Sequence, residues 1–357
     1  MHTEVLAIDP VHPDPSIIER AAALLRAGEV VVFPTETVYG LGAAALQTGA
    51  VERIFAAKGR PFNDPLIVHI AEEDALEQLT SSIPGQAKLL ARSFWPGPLT
   101  LILPRSPLVP KLVTAGLETV AVRMPRHPVA LALIRAAGSP IAAPSANRFM
   151  HVSPTTAQHA LADLRGRVPL ILDGGPCEVG VESTVLDLCS TVPTILRPGG
   201  VSLEALRAVL PDVQLPSQLV DAVPTNALQS PGQLLTHYAP AVPLLLFDGS
   251  IESMRAAMLA EVQRRVEQGE RVGVLVADED IAAFRESGAV VRTLGDAAAP
   301  GQVAAALFAN LRALEEADVQ VILSRSFDEH GLGLAIHDRL LKAAGGKVFK
   351  PPSGPQV

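Results

Sequence analysis

The chain has 357 residues, 48 % hydrophobic and 18 % charged, with a formal net charge of −8 at pH 7. That length and composition favour two domains with proper cores and exclude global disorder. The acidic balance argues against binding a nucleic acid polymer through the whole surface, while a basic cleft for a small anion stays compatible with it. Two cysteines, Cys177 and Cys189, are too few for a disulfide scaffold or a thiolate zinc site.

Met1–Pro15 lacks the basic start and apolar run of a signal peptide. The apolar stretch Leu131–Ala143 is broken by Arg135, Gly138 and Pro140, short of the roughly 20 residues a membrane helix needs. The expectation is a cytoplasmic protein with no membrane partner.

Helical spacing runs over Ser16–Ala27, with Ser16 as N-cap and Gly28 as stop. Glu29–Phe33 predicts a buried strand, and PTETVYGLGAAA (Pro34–Ala45) then reads as a turn carrying the hydroxyls of Thr35, Thr37 and Tyr39. Further apolar runs predict strands at Leu66–Ile70, Leu99–Leu103, Thr119–Val122, Pro140–Ala143, Leu170–Leu172, Ser183–Leu188 and Thr194–Leu196. Helical patterns lie between many of them, so the expected domain is α/β with a mixed, twisted sheet. Ser202–Val209 closes it as a helix. Pro211–Pro243 is proline-rich and aperiodic, a linker whose segment SPGQLLTHYAP offers His237 and Tyr238 as ligand contacts.

Beyond Pro243 the pattern alternates cleanly. Strands are expected at Leu244–Phe247, Arg271–Val276, Val290–Leu294 and Val319–Leu323, with helices at Ile251–Gln268, Asp280–Ser287 and Gln302–Ala317. This is the signature of a parallel, doubly wound sheet. It contains neither G-x-G-x-x-G nor a Walker A loop, so no nucleotide site follows from it.

Residues suited to chemistry recur at strand ends of the first domain. AKGRPFNDPLIVHI places Lys58 and Arg60 around Gly59, ahead of a strand ending in His69. An Arg fork and a Lys point charge together suit a polyphosphate, and both are expected to be partly exposed; two solvated loop cations are the plainer reading. APSANRFMHVSPTTAQH puts Ser145 and Asn147 just after a strand, where open α/β sheets bind ligands, and Ser153 as the cap of a helix starting near Pro154. LDGGPCEVGVESTVLDL supplies a glycine-rich loop and Ser183. Arg197 in ILRPGG and Arg123 in VAVRMPRHP each end an apolar strand. Arg197 is a surface charge or a base-stacking group, and Arg123 is a candidate carboxylate clamp. FWPGPLTLIL with Trp95 reads as a packed corner. No histidines fall at metal-ligand spacing.

Taken in order, PTETVYGLG, AKGRP…PLIVHI, FWPGPLTLIL, VAVRMPRHPVA, APSAN, SPTTA, DGG…GVESTV and LRPGG resemble the threonylcarbamoyl-AMP synthase family with its YrdC-like domain, over about Ile17–Leu206. SPGQLLTHYAP and GLGLAIHDRLLKAA are similar to the linker and carboxyl-terminal domain of the family's two-domain form. The resemblance implies a YrdC-like catalytic domain over 1–210 with a twisted mixed sheet and a basic cleft. It also implies a linker or lid over 211–242 and a smaller Rossmann-like parallel α/β domain over 243–357.

The implied reaction joins L-threonine, bicarbonate and ATP into threonylcarbamoyl-AMP and pyrophosphate, with Mg2+ accompanying ATP. Separate transfer proteins would carry the group to tRNA, and direct tRNA contact is left open. Carried over residue by residue, the family's catalytic set falls on Lys58, Arg60, Ser145 and Asn147. ATP contacts fall on Arg60, Asp64, Thr119, Ser145, Ser153, Arg197 and Tyr238, and threonine contacts on Thr37, His69, Arg123, Ala143 and Ser183. Two departures stand out: Asp64, where the family commonly has asparagine and a carboxylate would repel phosphate unless Mg2+ intervenes, and Met150, where glycine is common. Two rivals remain: a double-stranded RNA binding module, and a carbamoyl-adenylate-forming enzyme, whose relatives carry paired-cysteine zinc modules.

Overall fold

A computed structural model describes residues 1–216, 228, 230–232 and 238–350. Contacts group the chain into two compact units, Met1–Phe149 with Ser153–Gln233, and Met150–Val152 with Leu234–Val357. His237 lies outside the described residues.

The first unit opens with β1 (Glu4–Ala7), α1 (Pro15–Arg26), β2 (Val31–Phe33), β3 (Gly40–Ala44) and α2 (Thr48–Lys58). There follow β4 (Ile67–His69), α3 (Ala75–Leu79), α4 (Gly85–Phe94), β5 (Leu99–Pro104), β6 (Thr119–Arg123) and α5 (Pro128–Ala137). The last elements are β7 (Ile141–Ala142), α6 (Ala157–Leu164), β8 (Leu170–Asp173), β9 (Thr184–Asp187), β10 (Thr194–Arg197) and α7 (Leu203–Val209). The strands form one mixed sheet in the order β1-β8-β2-β3-β7-β4-β6-β5-β9-β10.

Several ends differ from expectation for local reasons. The cap of α1 is Asp14, whose carboxylate accepts from Ser16 N at 2.8 Å, so Ser16 is a helical residue and Pro15 takes the first-turn position. The α6 cap is Thr156, which accepts from His159 N, and Ser153 lies outside the helix altogether. PTETVYGLGAAA holds strand β3 as well as a turn. Gly42 is needed there, because a Cβ would stand 2.7 Å from both Ile141 and Phe33.

Alternation along the strands sends side chains to two faces. One face, with Leu41, Val68, Leu101, Val122 and Leu186, packs against α2, α3, α4, α6 and α7. On the other face, Val31, Phe33, Ile141 and Leu172 lie under α1 and α5. That cover stops at β7. Beyond it Ile67, Ile102, Ala121 and Val185, with Leu196, form a small apolar cluster that includes no helical residue. The same face of the same strands carries His69, Thr100, Arg123 and Thr119, so this half of the sheet is a floor.

The second unit has its own core and a five-stranded sheet. Its elements are β11 (Leu244–Phe247), α8 (Ile251–Glu267), β12 (Val272–Val276), α9 (Ile281–Phe284) and β13 (Val290–Thr293), then α10 (Pro300–Glu316), β14 (Val321–Arg325), α11 (Gly333–Ala343) and β15 (Val348–Phe349). The order is β13-β12-β14-β11-β15 and every pairing is parallel. Asp280 falls in a 3₁₀ turn ahead of α9 rather than within the helix. Among the described residues no helix is long and apolar enough to cross a membrane.

Candidate active site

The floor ends in an arginine. Arg123 is the last residue of β6, opposite His69 on β4 and Thr100 on β5. It is 3 % exposed. Its Nε donates to Gly97 O at 3.2 Å and its Nη1 to Thr37 Oγ1 at 2.9 Å, while Nη2 stands 2.7 Å from Glu36 Oε1. Thr37 is steadied in turn by Thr35, whose hydroxyl lies 2.8 Å away and donates to Val38 O. The third hydroxyl of that segment is fully used, since Tyr39 donates to Gly175 O at 2.7 Å.

Three groups here have unspent polar capacity. Neither side-chain oxygen of Glu36, nor Arg123 Nη2, nor His69 Nδ1 has an aligned hydrogen-bond partner among the described residues, and all are buried. Orphaned polar atoms inside a protein are costly, so a cluster of them marks a place shaped for something else. Burial and then the Arg123 charge push the His69 imidazole down to about 3. It is therefore neutral near pH 7 and offers one donor and one acceptor nitrogen.

Beside this corner lies a second arginine. Arg197, at the end of β10, donates to Ser183 O at 2.9 Å and to Ser183 Oγ at 3.1 Å. Ser183 Oγ is also 2.7 Å from Thr100 Oγ1, so the group links back to the strand that faces Arg123. Being 4 % exposed, Arg197 is no surface charge. Thr119, at the opposite end of β6, shares the floor face with Ala121 and Arg123 and stands about 13 Å along the strand from Arg123. Ala143 contributes backbone, its N–H bound to Ile67 O at 2.9 Å.

The cations before β4 make the next group. Lys58 closes α2 and Gly59 follows in the left-handed region, φ 66°, which turns the chain sharply. Both cations are buried, Lys58 at 4 % and Arg60 at 7 % exposure, against the expectation of partial exposure. Lys58 Nζ donates to Ser145 O at 2.6 Å and Asn147 O at 2.5 Å. It thus clamps the turn that bears those two residues and keeps one N–H of its three for other use. Burial, then Arg60, holds its ammonium well below the usual lysine value.

Arg60 donates to the carbonyls of Asp64 at 3.2 Å and Pro65 at 2.7 Å, and its Nη2 lies 2.8 Å from the Asp64 carboxylate. Asp64 is wholly buried in that pair. The carboxylate is thus matched to a cation.

Ser153 donates to Glu182 Oε1, and the Glu182 carbonyl accepts from Gly200 N at 3.0 Å. Ser153 is thus tied to the turn after Arg197, a role unlike the helix cap expected. Tyr238 sits in the second unit, 1 % exposed, with its ring 5.7 Å from Phe308 and 4.7 Å below the Arg339 guanidinium.

Glu36 and Glu182 were not singled out from the sequence. Their signal was there in Thr-Glu-Thr and Val-Glu-Ser: a lone acid between small or hydroxyl residues, next to strands apolar enough to be buried. Met150 adopts φ 67°, the conformation that favours glycine.

Buried cations, hydroxyls and orphaned polar atoms gather on one sheet face, an arrangement suited to an enzyme-type site for a small, multiply charged ligand. Two family models match the chain: one described as telomere recombination over residues 23–199, the other as the threonylcarbamoyl-AMP synthase C-terminal domain over residues 201–345. The chain is 50 % identical to the threonylcarbamoyl-AMP synthase of Bacillus subtilis over 94 % of its own length and 95 % of that protein's. The corresponding Pyrococcus abyssi protein is 45 % identical, with 93 % and 95 % covered. The crystal structure of P. abyssi Sua5 complexed with L-threonine matches with a TM-score of 0.91 at 42 % identity, covering 97 % of this chain and 99 % of that one. The chain belongs to the threonylcarbamoyl-AMP synthase family, in its two-domain form.

Proposed function

We propose that this chain condenses L-threonine, bicarbonate and ATP into threonylcarbamoyl-AMP, releasing pyrophosphate. The observation that carries the reading is the meeting of orphaned groups on Glu36, His69 and Arg123 within a sheet face that also bears Arg197. Arg123 holds the threonine carboxylate, which accepts from Nη2, the nitrogen that faces Glu36 without an aligned hydrogen bond. Thr37, His69, Ser183 and the backbone of Ala143 surround the rest of the amino acid. Arg60, Thr119, Ser145, Ser153, Arg197 and Tyr238 hold ATP, with Asp64 acting through Arg60.

The threonine ammonium group gives up a proton to solvent, and the free amine and bicarbonate form a carbamate with loss of water. A carbamate oxygen then attacks the α-phosphorus, and pyrophosphate departs. No covalent enzyme intermediate is needed: positioning and charge stabilisation supply the catalysis. Lys58 presents its remaining N–H and Arg60 its guanidinium to the triphosphate. Ser145 and Asn147 are kept in place by the Lys58 clamp.

Among the described residues no three His, Cys, Asp or Glu side chains converge on one point. Mg2+ is commonly held by phosphates and water with one or two carboxylates, so it would enter on ATP and neutralise the leaving group. The threonylcarbamoyl group then passes to tRNA through separate transfer proteins, in the cytoplasm.

Pyrophosphate release with purified protein tests the reading. It is expected only when L-threonine, bicarbonate, Mg2+ and ATP are all present, and not when carbamoyl phosphate replaces threonine. Lys58→Ala should lower turnover by about 100-fold or more, the scale of losing one charge-stabilising donor. Release that ignored threonine would overturn it.

A further inference from the structure

We propose that Glu36 and Arg123 act as a pair that reads a zwitterion, Arg123 taking the carboxylate of the amino acid and Glu36 its ammonium group. The proposal rests on the reading of Arg123 as the threonine carboxylate clamp. Glu36 then becomes a second substrate contact, and the residue that selects an amino acid over other small hydroxy acids.

Glu36 and Arg123 form a buried ion pair at the corner where the carboxylate clamp lies. Glu36 is 2 % exposed and Arg123 3 %. Their charges lie 2.7 Å apart, yet neither the Glu36 oxygens nor Arg123 Nη2 has an aligned hydrogen bond from any described residue. A buried salt bridge usually offsets its desolvation only when the remaining lone pairs and protons are satisfied. Here the charges compensate each other while their hydrogen-bonding directions stay unspent. A zwitterion satisfies both at once. Its carboxylate accepts from Nη2, its ammonium donates to Glu36, and the site stays electrically balanced.

The backbone holds both groups still. The Glu36 carbonyl accepts from Val179 N at 2.8 Å, and Arg123 is fixed through Gly97 and Thr37. Two further buried carboxylates of this unit lie elsewhere, Asp64 in its ion pair with Arg60 and Glu182 accepting from Ser153. Ammonium and carboxylate of an α-amino acid hang on one carbon, so their partners must be neighbours, and Glu36 is the carboxylate next to the clamp.

The test compares binding of L-threonine and of (R)-3-hydroxybutyrate, which is threonine without its amine, by calorimetry on the full chain. The unsubstituted protein is expected to bind threonine at least about tenfold more tightly, the scale of a hydrogen bond between charged groups. Glu36→Gln keeps the shape and an acceptor for Arg123. It should weaken threonine by about tenfold or more while leaving the hydroxy acid and the ATP KM unchanged.

Equal affinity of the unsubstituted protein for both ligands would overturn the proposal. So would a Glu36→Gln variant that weakened both ligands alike, or neither. Should that variant not fold, the comparison on the unsubstituted protein decides alone. Arg123→Ala separates the underlying reading: if it leaves the binding of both ligands intact, the carboxylate clamp itself is wrong.

Discussion

Asp64 sits where a carboxylate beside the proposed triphosphate looks least tolerable, and its burial against Arg60 gives that charge a partner. The ion pair fixes the guanidinium by its charge, while the carbonyls of Asp64 and Pro65 fix it by hydrogen bonds. Removing Arg60 would strand a buried carboxylate, at a cost of about 3–5 kcal/mol, so Arg60→Ala confounds stability with catalysis. Asp64→Asn is the cleaner probe, because both carbonyl contacts of Arg60 survive.

Burial raises the Asp64 carboxyl above its ordinary value, against the pull of Arg60, Lys58 and Arg197. A folded state that holds a proton more tightly than the unfolded chain loses stability as pH climbs through that window. The wild-type melting temperature should therefore fall relative to Asp64→Asn as pH rises above about 4, the ordinary carboxylate range. The ATP KM of Asp64→Asn should lie below that of the wild type at pH 7, since in the proposed site Arg60 would face the phosphates with less compensation. A variant that lost more stability at pH 7 than at pH 4 would contradict the raised carboxyl. From sequence alone Asp64 reads as a charge that repels phosphate unless Mg2+ intervenes, since its partner is set by how the Pro61–Pro65 turn folds back.

At the scale of elements, the apolar β-branched runs were legible, and most strands lie within a residue or two of where the pattern put them. The elements that the pattern does not show have physical causes in common. Strand β3 is Gly-Leu-Gly-Ala-Ala, buried on both faces, so it shows neither alternation nor bulk. Helix α11 buries Asp338, Arg339 and Lys342, with Lys342 Nζ 2.7 Å from Asp338, so its polar residues do not mark its outer face. The candidate site is legible as motifs at strand ends, because cations and hydroxyls are rare there. The acids that complete it are not, because a buried carboxylate looks like a surface one until its cation is found.

The LRPGG turn shows how closely the elements must approach. A Cβ at Gly199 would stand 2.3 Å from the Glu182 carbonyl and 2.4 Å from the backbone of Ser183 and Thr184. Gly199→Ala must therefore push β9 away from the end of β10. That shift moves Glu182, which holds Ser153, and Ser183, which holds Arg197. Overpacking of this kind costs about 1–3 kcal/mol. The expected result is raised KM values for both ATP and threonine together with a lower melting temperature. Loss of stability with unchanged KM values would show that the turn does not position the site.

Across the whole molecule, each unit has its own sheet and its own hydrophobic core, so each has the means to unfold cooperatively. Tyr238 makes that separation informative. It is chemically a candidate ATP contact, yet its ring is seated among Phe308 and Arg339 of the second unit, where a stacked and cation-facing phenol is held firmly. A ligand stabilises whatever folded unit it binds by an amount set by its concentration over Kd, about 2.7 kcal/mol at 100-fold excess. L-threonine, whose proposed contacts all lie in the first unit, should raise only that unit's calorimetric transition. A non-hydrolysable ATP analogue added with threonine should raise both transitions, because Tyr238 would couple the nucleotide to the second core. Tyr238→Ala should abolish the second shift and spare the first. If the analogue moved only the first transition in the unsubstituted protein, Tyr238 would leave the ATP-binding set and the second unit would owe its presence to another role.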